Sequence, residues 1–203
     1  MKHQTVKEKS QKLFESMKEK FGYKNIMQSP KVVKITLSST TGSIKDPKKK
    51  ALIGDRLNKI AGQKASVKSA KKSVASFKVR QGDPVGWQVT LRGERMWSFL
   101  EKLVNIALPR TRDFRGIELK SIDAMGNYTL GIKEHTVFPE TSDEEIKDVF
   151  GFAVNMVTTA KTKEEMKDLL EHIGFIFKKV DPNAMVEKVE RASKEPVRTA
   201  KKF

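Results

Sequence analysis

Hydrophobic positions along this chain follow two rhythms, and the switches between them mark its elements. From Thr5 to Phe21, the residues Val6, Leu13, Phe14, Met17 and Phe21 recur at helical spacing, with Thr5 and Glu8 placed as a capping box and Gly22 as the stop. Lys31 to Leu37 changes to alternation, with Val33, Ile35 and Leu37 set against Lys34 and Thr36, and Pro30 suits the approach to a strand. Ser38 to Asp46 is rich in Ser, Thr and Gly and reads as a loop. Asp46-Pro47 supplies an N-cap and a proline at the first helical position, and Leu52, Ile53, Leu57 and Ile60 carry a helix that stops at Gly62.

Val85 to Arg92 alternates strictly, Val85, Trp87, Val89 and Leu91 against Gly86, Gln88, Thr90 and Arg92, which predicts a strand with one buried and one polar face. Met96, Phe99, Leu100, Leu103, Val104 and Ala107 then share one helical face, predicting a helix over Glu94 to Leu108 with Pro109 just beyond its end. Two short strands are expected at Ile117 to Ile122 and Tyr128 to Lys133, joined by a turn at Met125-Gly126-Asn127. A capping box at Ser142 to Glu145 opens a short helix carrying Ile146, Val149 and Phe150. Phe152 to Thr159 reads as a strand. Thr162 to Glu165 caps a last helix with Met166, Leu169, Leu170 and Ile173 inside and Gly174 at its end.

These elements predict an α+β fold, one domain over residues 1–180 with a mainly antiparallel sheet packed against helices, a projecting basic loop, and a mobile charged extension over 181–203. Trp87 reads as core and Trp97 as half-buried.

Charge changes the picture. Forty-one Lys and Arg against twenty-five Asp and Glu leave a formal charge of +16. The excess is concentrated between Lys59 and Gly82, where Lys59, Lys64, Lys68, Lys71, Lys72, Lys78 and Arg80 stand without one acidic residue. A lysine run alone is commonly solvated surface, but here the whole chain leans the same way. This is the electrostatic footprint of a protein that meets a polyanion. The polar face of the following strand offers amide, hydroxyl and guanidinium groups suited to phosphate, ribose or base edges. Phe77, inside the basic loop and outside any apolar period, is open to partner contact.

Catalytic readings find little support. There is no cysteine, so thiol nucleophiles, thiolate metal sites and disulfides are excluded, and a reducing compartment is expected. The N-terminus has no apolar signal segment and no apolar run approaches membrane-spanning length, so a cytoplasmic protein is expected. His3, His135 and His172 show no metal-ligand spacing, and no cofactor is called for. Gly82 to Gly86 lacks the phosphate-loop ending and reads as a tight turn. Asp143, Glu144 and Glu145 suit a helix N-terminus. No nucleophile, base and orienting group can be argued together.

Several motifs are long and distinctive: Tyr23 to Leu37, Gly62-Gln63-Lys64, Lys72-Ser73-Val74-Ala75, Arg80-Gln81-Gly82, Val89 to Met96, Arg112-Asp113-Phe114-Arg115-Gly116, Gly126-Asn127-Tyr128, Phe138-Pro139-Glu140 and Thr158-Thr159-Ala160-Lys161. Over roughly Lys7 to Lys179 the chain resembles the bacterial family of large-subunit ribosomal protein five. The resemblance implies a non-enzymatic, structural role in the ribosome. It implies binding of 5S rRNA, its attachment to 23S rRNA in the central protuberance, contact with transfer RNA in the P site, and contact with small-subunit protein thirteen across an intersubunit bridge. It places rRNA contacts at Ser38, Gln63, Lys64, Thr90 and Arg92. It places the tRNA-contacting loop at Lys71, Lys72, Ser73, Phe77, Lys78 and Arg80, and the bridge at Arg110, Arg112 and Arg115. Two departures stand out: Ser38-Ser39-Thr40-Thr41 follows the first strand where the family has Asn and a Gly-containing loop, and Trp87-Gln88 replaces a small residue and lysine.

Two rivals from other classes stay open. A DNA-compacting or membrane-surface protein would favour a continuous basic amphipathic helix and bind any polyanion alike. An RNA-modifying enzyme would need a cofactor loop or catalytic constellation.

Overall fold

Local capping decides where most helices begin and end. In the computed structural model, which describes residues 5–178 except 43, 45, 113 and 142–147, Thr5 and Glu8 close a reciprocal capping box at the start of α1 (Val6–Phe21), and Gly22 ends it in the left-handed conformation. Asp46 accepts from the Lys48 amide to open α2 (Pro47–Ala61), ended by Gly62. Thr162 accepts from the Glu165 amide to open α4 (Lys163–Ile173), ended by Gly174. The expected capping box at Ser142 and Glu145 and the charged extension beyond Val180 lie outside the described residues, as does His3.

Five strands, β1 (Val32–Thr40), β2 (Ser66–Ser69), β3 (Pro84–Leu91), β4 (Tyr128–Ile132) and β5 (Phe152–Thr158), form one antiparallel sheet in the order β2-β3-β1-β5-β4. The inward positions of its three central strands, Ile35, Leu37, Val89, Leu91, Val154 and Met156, are fully buried. The helices cover that face: α3 (Gly93–Lys102) contacts β1, α2 contacts β3, and α1 packs on α3 and α4. Phe99 of α3 stacks on Phe138 at 5.9 Å between centroids, and Phe138 meets Phe152 of β5 at 5.7 Å. The α+β reading of the sequence is thus the fold.

Four local expectations are corrected. Ser38, Ser39 and Thr40 are not loop but the end of β1, held by β3 on one side and, at Ser38, by β5 on the other. Between Val32 and Lys34 the register against β5 shifts, so Val33 is outward rather than inward, and Val32 takes the buried place. The helix after β3 does not stop before Pro109. It widens into a π turn over Leu103–Ala107, whose last bond is donated by the Leu108 amide to the Leu103 carbonyl, and a final helical turn Leu108–Arg110 includes the proline. Ile117 to Ile122 is no strand: isolated bridges at Ile117 and Ile122 flank a 3-10 turn, Leu119–Ser121.

Trp87 is inward, as its alternation predicts. Its indole N–H donates to the Lys50 carbonyl at 2.9 Å, and its ring lies so close to α2 that a Cβ on Gly54 would stand 2.6 Å from it. His135 is fully buried, stacks on Phe150, and accepts from the Phe150 amide at Nδ1 (3.3 Å); His172 Nε2 sits 2.9 Å from the Lys9 carbonyl. Both serve packing.

Candidate nucleic-acid interface

Because the described helices α1–α4 lie on one side, the other side of the sheet is left open among the described residues, and the strand registers fix which residues share it. One row across the sheet reads Ser66, Gln88, Ser38, Ala153, Gly131, and the next reads Thr90, Thr36, Asn155, Thr129. Directly opposed residues point to the same face. Lys34 and Lys68 stand on the same surface, at Val157 and Gly86 respectively, and no strand residue facing this way is acidic.

The side chains of Thr36, Ser38, Gln88, Thr90, Thr129 and Asn155 make no hydrogen bond among the described residues. Inward-facing hydroxyls behave differently. Ser39 donates to the Gly151 carbonyl at 2.9 Å, Thr158 to the Gly126 carbonyl at 2.6 Å, and, off the sheet, Thr141 to the His135 carbonyl at 2.9 Å. These inward-facing hydroxyls are thus satisfied within the protein, as is Ser66 at the sheet edge, whose hydroxyl donates to the Gln88 carbonyl at 3.2 Å, while the six side chains named above on the open face are unspent.

Four of the five rRNA-contact residues implied by the resemblance converge at one end of this face. Ser38 and Thr90 are diagonal neighbours across the β1/β3 pair. Arg92 is exposed at the end of β3, in the N-cap position of α3, and makes no side-chain cap bond. Gln63, just beyond α2, lies 3.4 Å from the Thr90 carbonyl through its Nε2 and accepts from Arg95 at 3.3 Å. Lys64 is exposed beside it. Thr36, Asn155 and Thr129 were not singled out from the sequence, although the alternation Phe152, Val154, Met156 against Ala153, Asn155, Val157 carries the signal for one of them.

The basic loop is more ordered than its composition suggests. Its first residues form β2, all four exposed at the sheet edge, which corrects the reading of this whole stretch as loop. Beyond, Ala70 pairs with Asp83 and Gly82 (2.9 and 3.0 Å), and Val74 and Val79 exchange both backbone bonds. A 3-10 turn, Ala75–Phe77, and Lys78 in the left-handed region close the tip. The Ser73 hydroxyl accepts from the Gln81 amide, and the Asp83 carboxylate from the Arg80 amide. Lys71, Lys72, Ser73, Phe77, Lys78 and Arg80 are all exposed, Phe77 at 76%.

Arg112 and Arg115 line a cleft of about 610 Å³ together with Phe114, Glu118, Tyr128 and Lys178. Arg110 ends the helical turn outside that lining.

The ion pairs among the described residues lie away from the open face. On the helical side Lys7 meets Glu94, Lys20 meets Asp168, Lys102 meets Glu140 and Lys167 meets Glu171. Among the described residues, Lys34, Lys64, Lys68, Lys71, Lys72, Lys78, Arg80, Arg92, Arg110, Arg112 and Arg115 make no such pair. Unneutralised cations around outward strand residues with no acid among them suit phosphate binding. Acid–base chemistry has no foothold in the two tyrosines: burial pushes Tyr128 up to about 12, helped by Glu118, and burial with a hydrogen bond to Glu165 raises Tyr23.

Residues 25–80 match the family described as Ribosomal protein L5, and residues 84–177 match the model for the C-terminus of the same ribosomal family. The chain is 52% identical over 165 residues to the large ribosomal subunit protein uL5 of Thermoanaerobacter sp. (strain X514), covering 81% of this chain and 92% of the relative. It belongs to the ribosomal protein L5 family. The uL5 proteins of Desulfotalea psychrophila (50% over 165 residues) and Natranaerobius thermophilus (51% over 162 residues) cover 81% and 79% of this chain and 92% and 90% of their own lengths. Members of this family are structural proteins of the large ribosomal subunit, not enzymes, and work in translation within a ribonucleoprotein that in bacteria is cytoplasmic. No described helix is long and apolar enough to cross a membrane.

Proposed function

We propose that this protein binds 5S rRNA through the open sheet face and holds it against 23S rRNA in the central protuberance. The observation that carries the reading is the coincidence of unspent hydrogen-bonding groups with unpaired cations on a sheet face whose outward strand residues include no acid. Hydroxyls and amides fix register on folded RNA, while Lys64, Lys68 and Arg92 displace counterions from its phosphates. Ser38, Gln63, Lys64, Thr90 and Arg92 form one end of that contact. The hairpin carrying Lys71, Lys72, Ser73, Phe77, Lys78 and Arg80 reaches away toward transfer RNA in the P site. Arg110, Arg112 and Arg115 face small-subunit protein thirteen across the intersubunit bridge.

The first test is competition among 5S rRNA, transfer RNA and duplex DNA for the purified protein over a salt series. 5S rRNA is expected to win by on the order of a thousandfold, with all partners weakening as salt rises. Equal binding of all three, falling together with salt, would leave only a nonspecific charge-driven binder.

Deleting Lys71 to Lys78 separates the two RNA contacts. The 5S affinity and its salt slope are expected to stay at wild-type values, while ribosomes assembled with the variant retain less transfer RNA in the P site. A 5S slope reduced by about 0.9 for each phosphate no longer neutralised would put the hairpin on 5S rRNA instead.

A further inference from the structure

β4 is the last strand of the sheet, and past the isolated pairing of Ile122 with Tyr128 its outer edge has no strand partner among the described residues. That edge forms one wall of the cleft of about 610 Å³, in which Leu130 and Phe114 are only half-buried. Four exposed cations line the same cleft, Arg112, Arg115, Lys133 and Lys178, and none makes an ion pair among the described residues. Glu118 and Glu134 line it too. An apolar wall with carboxylates beside it suits a peptide better than a run of phosphates.

The chain itself supplies a fitting peptide. The family match ends at Phe177, the next residue lines the cleft, and the sequence runs on to Phe203. Over residues 180–190, Asp181, Glu187 and Glu190 stand against Lys188 alone, an acidic excess in a chain whose formal charge is +16. Asp181-Pro182 repeats the signature with which Asp46-Pro47 opens α2, and Met185, Val186 and Val189 follow at helical spacing, which predicts an apolar stripe with the acids outside it. Asp181 is three residues past Lys178, so about 10 Å of chain at most separates them. We infer that residues 181–190 dock in the cleft beside β4, their apolar stripe against Leu130 and Phe114 and their carboxylates toward Arg112, Arg115 and Lys133. A tether this short gives an effective concentration of roughly millimolar order, so even weak contacts fill the cleft. The extension is then a built-in cover. Arg112 and Arg115 cannot serve it and a partner protein at once, so a partner at those arginines has to displace it.

The test compares full-length wild type with Met185→Asp/Val189→Asp by hydrogen exchange, and cross-links two double-cysteine variants of a chain that has no cysteine of its own. In wild type the outward amides of residues 128–133 are expected to exchange about tenfold more slowly than in the aspartate variant, with the other strands unchanged. Lys133→Cys with Lys188→Cys is expected to cross-link within one molecule several times faster than Lys68→Cys with Lys188→Cys. Lys68 lies on β2, at the other end of the sheet, about 19 Å from β4 at ordinary strand spacing. Equal exchange in wild type and variant, or equal cross-linking of the two pairs, would overturn the inference. So would a cross-link that joins two molecules, which assigns the cleft to a second copy. Slow exchange that appears only when 5S rRNA is added would give the cleft to RNA and overturn it as well. The assay contains no second protein, so failure here leaves the bridge reading standing.

Discussion

Gly126→Ala is expected to destabilise the protein by about 3 kcal/mol or more, one of the largest single-residue effects in the chain. Gly126 has φ near 71°, in the left-handed region, which costs an L side chain about 1–2 kcal/mol. A Cβ there would also stand 2.4 Å from the Ala160 carbonyl oxygen and 2.8 Å from its carbon. Neither side can yield cheaply. The Gly126 carbonyl accepts from Thr158, and the next residue, Asn127, accepts from the Thr158 amide, so the turn is stapled to the end of β5. Gly22 is the control: its φ is 67°, but nothing lies within 4 Å of its Cβ position. Gly22→Ala should cost only the conformational penalty, and Gly126→Ala should lower the thermal midpoint by roughly 6–12 °C. Equal midpoints for the two variants would mean that the backbone approach at Ala160 carries no stability. Since this turn leads directly into β4, it also determines how Thr129 lies beside Asn155.

Arg92→Ala is expected to weaken 5S rRNA binding by about 1–3 kcal/mol, roughly five- to 150-fold in Kd, while leaving the unfolding midpoint unchanged. The guanidinium makes no ion pair or cap bond among the described residues, so its removal orphans nothing. The salt series separates two ways it could act. Loss of a phosphate contact lowers the slope by about 0.9. Loss of a base contact keeps the slope and erodes the advantage over other nucleic acids. Gln63→Ala should fall at the lower end of the same range, because that amide is already engaged with the Thr90 carbonyl and Arg95. Wild-type affinity in both variants would refute this end of the contact.

Much of the fold was legible because its signals are local. Thr5 with Glu8, Asp46 with Pro47, Thr162, and the three terminal glycines act within one helical turn, and the structure uses each where the sequence places it. What the sequence hid depends on distant partners. Ser38 to Thr40 has loop composition, but Gln88, Trp87 and Gly86 pair with it from one side and Ala153 from the other. Val32-Val33 is an apolar pair with no internal hint of which member turns inward; the bulge against β5 decides it. β2 has no buried residue, so no alternation betrays it. Pro109 misleads because the preceding π turn ends the hydrogen-bond ladder just before it. The same distinction governs the interface. Thr90 and Arg92 follow from one strand's alternation, whereas the row through Thr36, Asn155 and Thr129 exists only once β1, β5 and β4 are in register.

The hairpin between β2 and β3 keeps its hydrogen bonds to itself: Ala70 with Gly82 and Asp83, Val74 with Val79, Ser73 with Gln81. No residue from 71 to 81 is buried in the core. Selection on this segment is therefore uncoupled from selection on folding. Substitutions at Lys71, Lys72, Phe77 or Lys78 pass unnoticed through any screen for solubility, heat resistance or protease survival, and show themselves only when the particle is built and translating. Drift in the hairpin is policed by what it touches, and drift in the sheet by what it packs against.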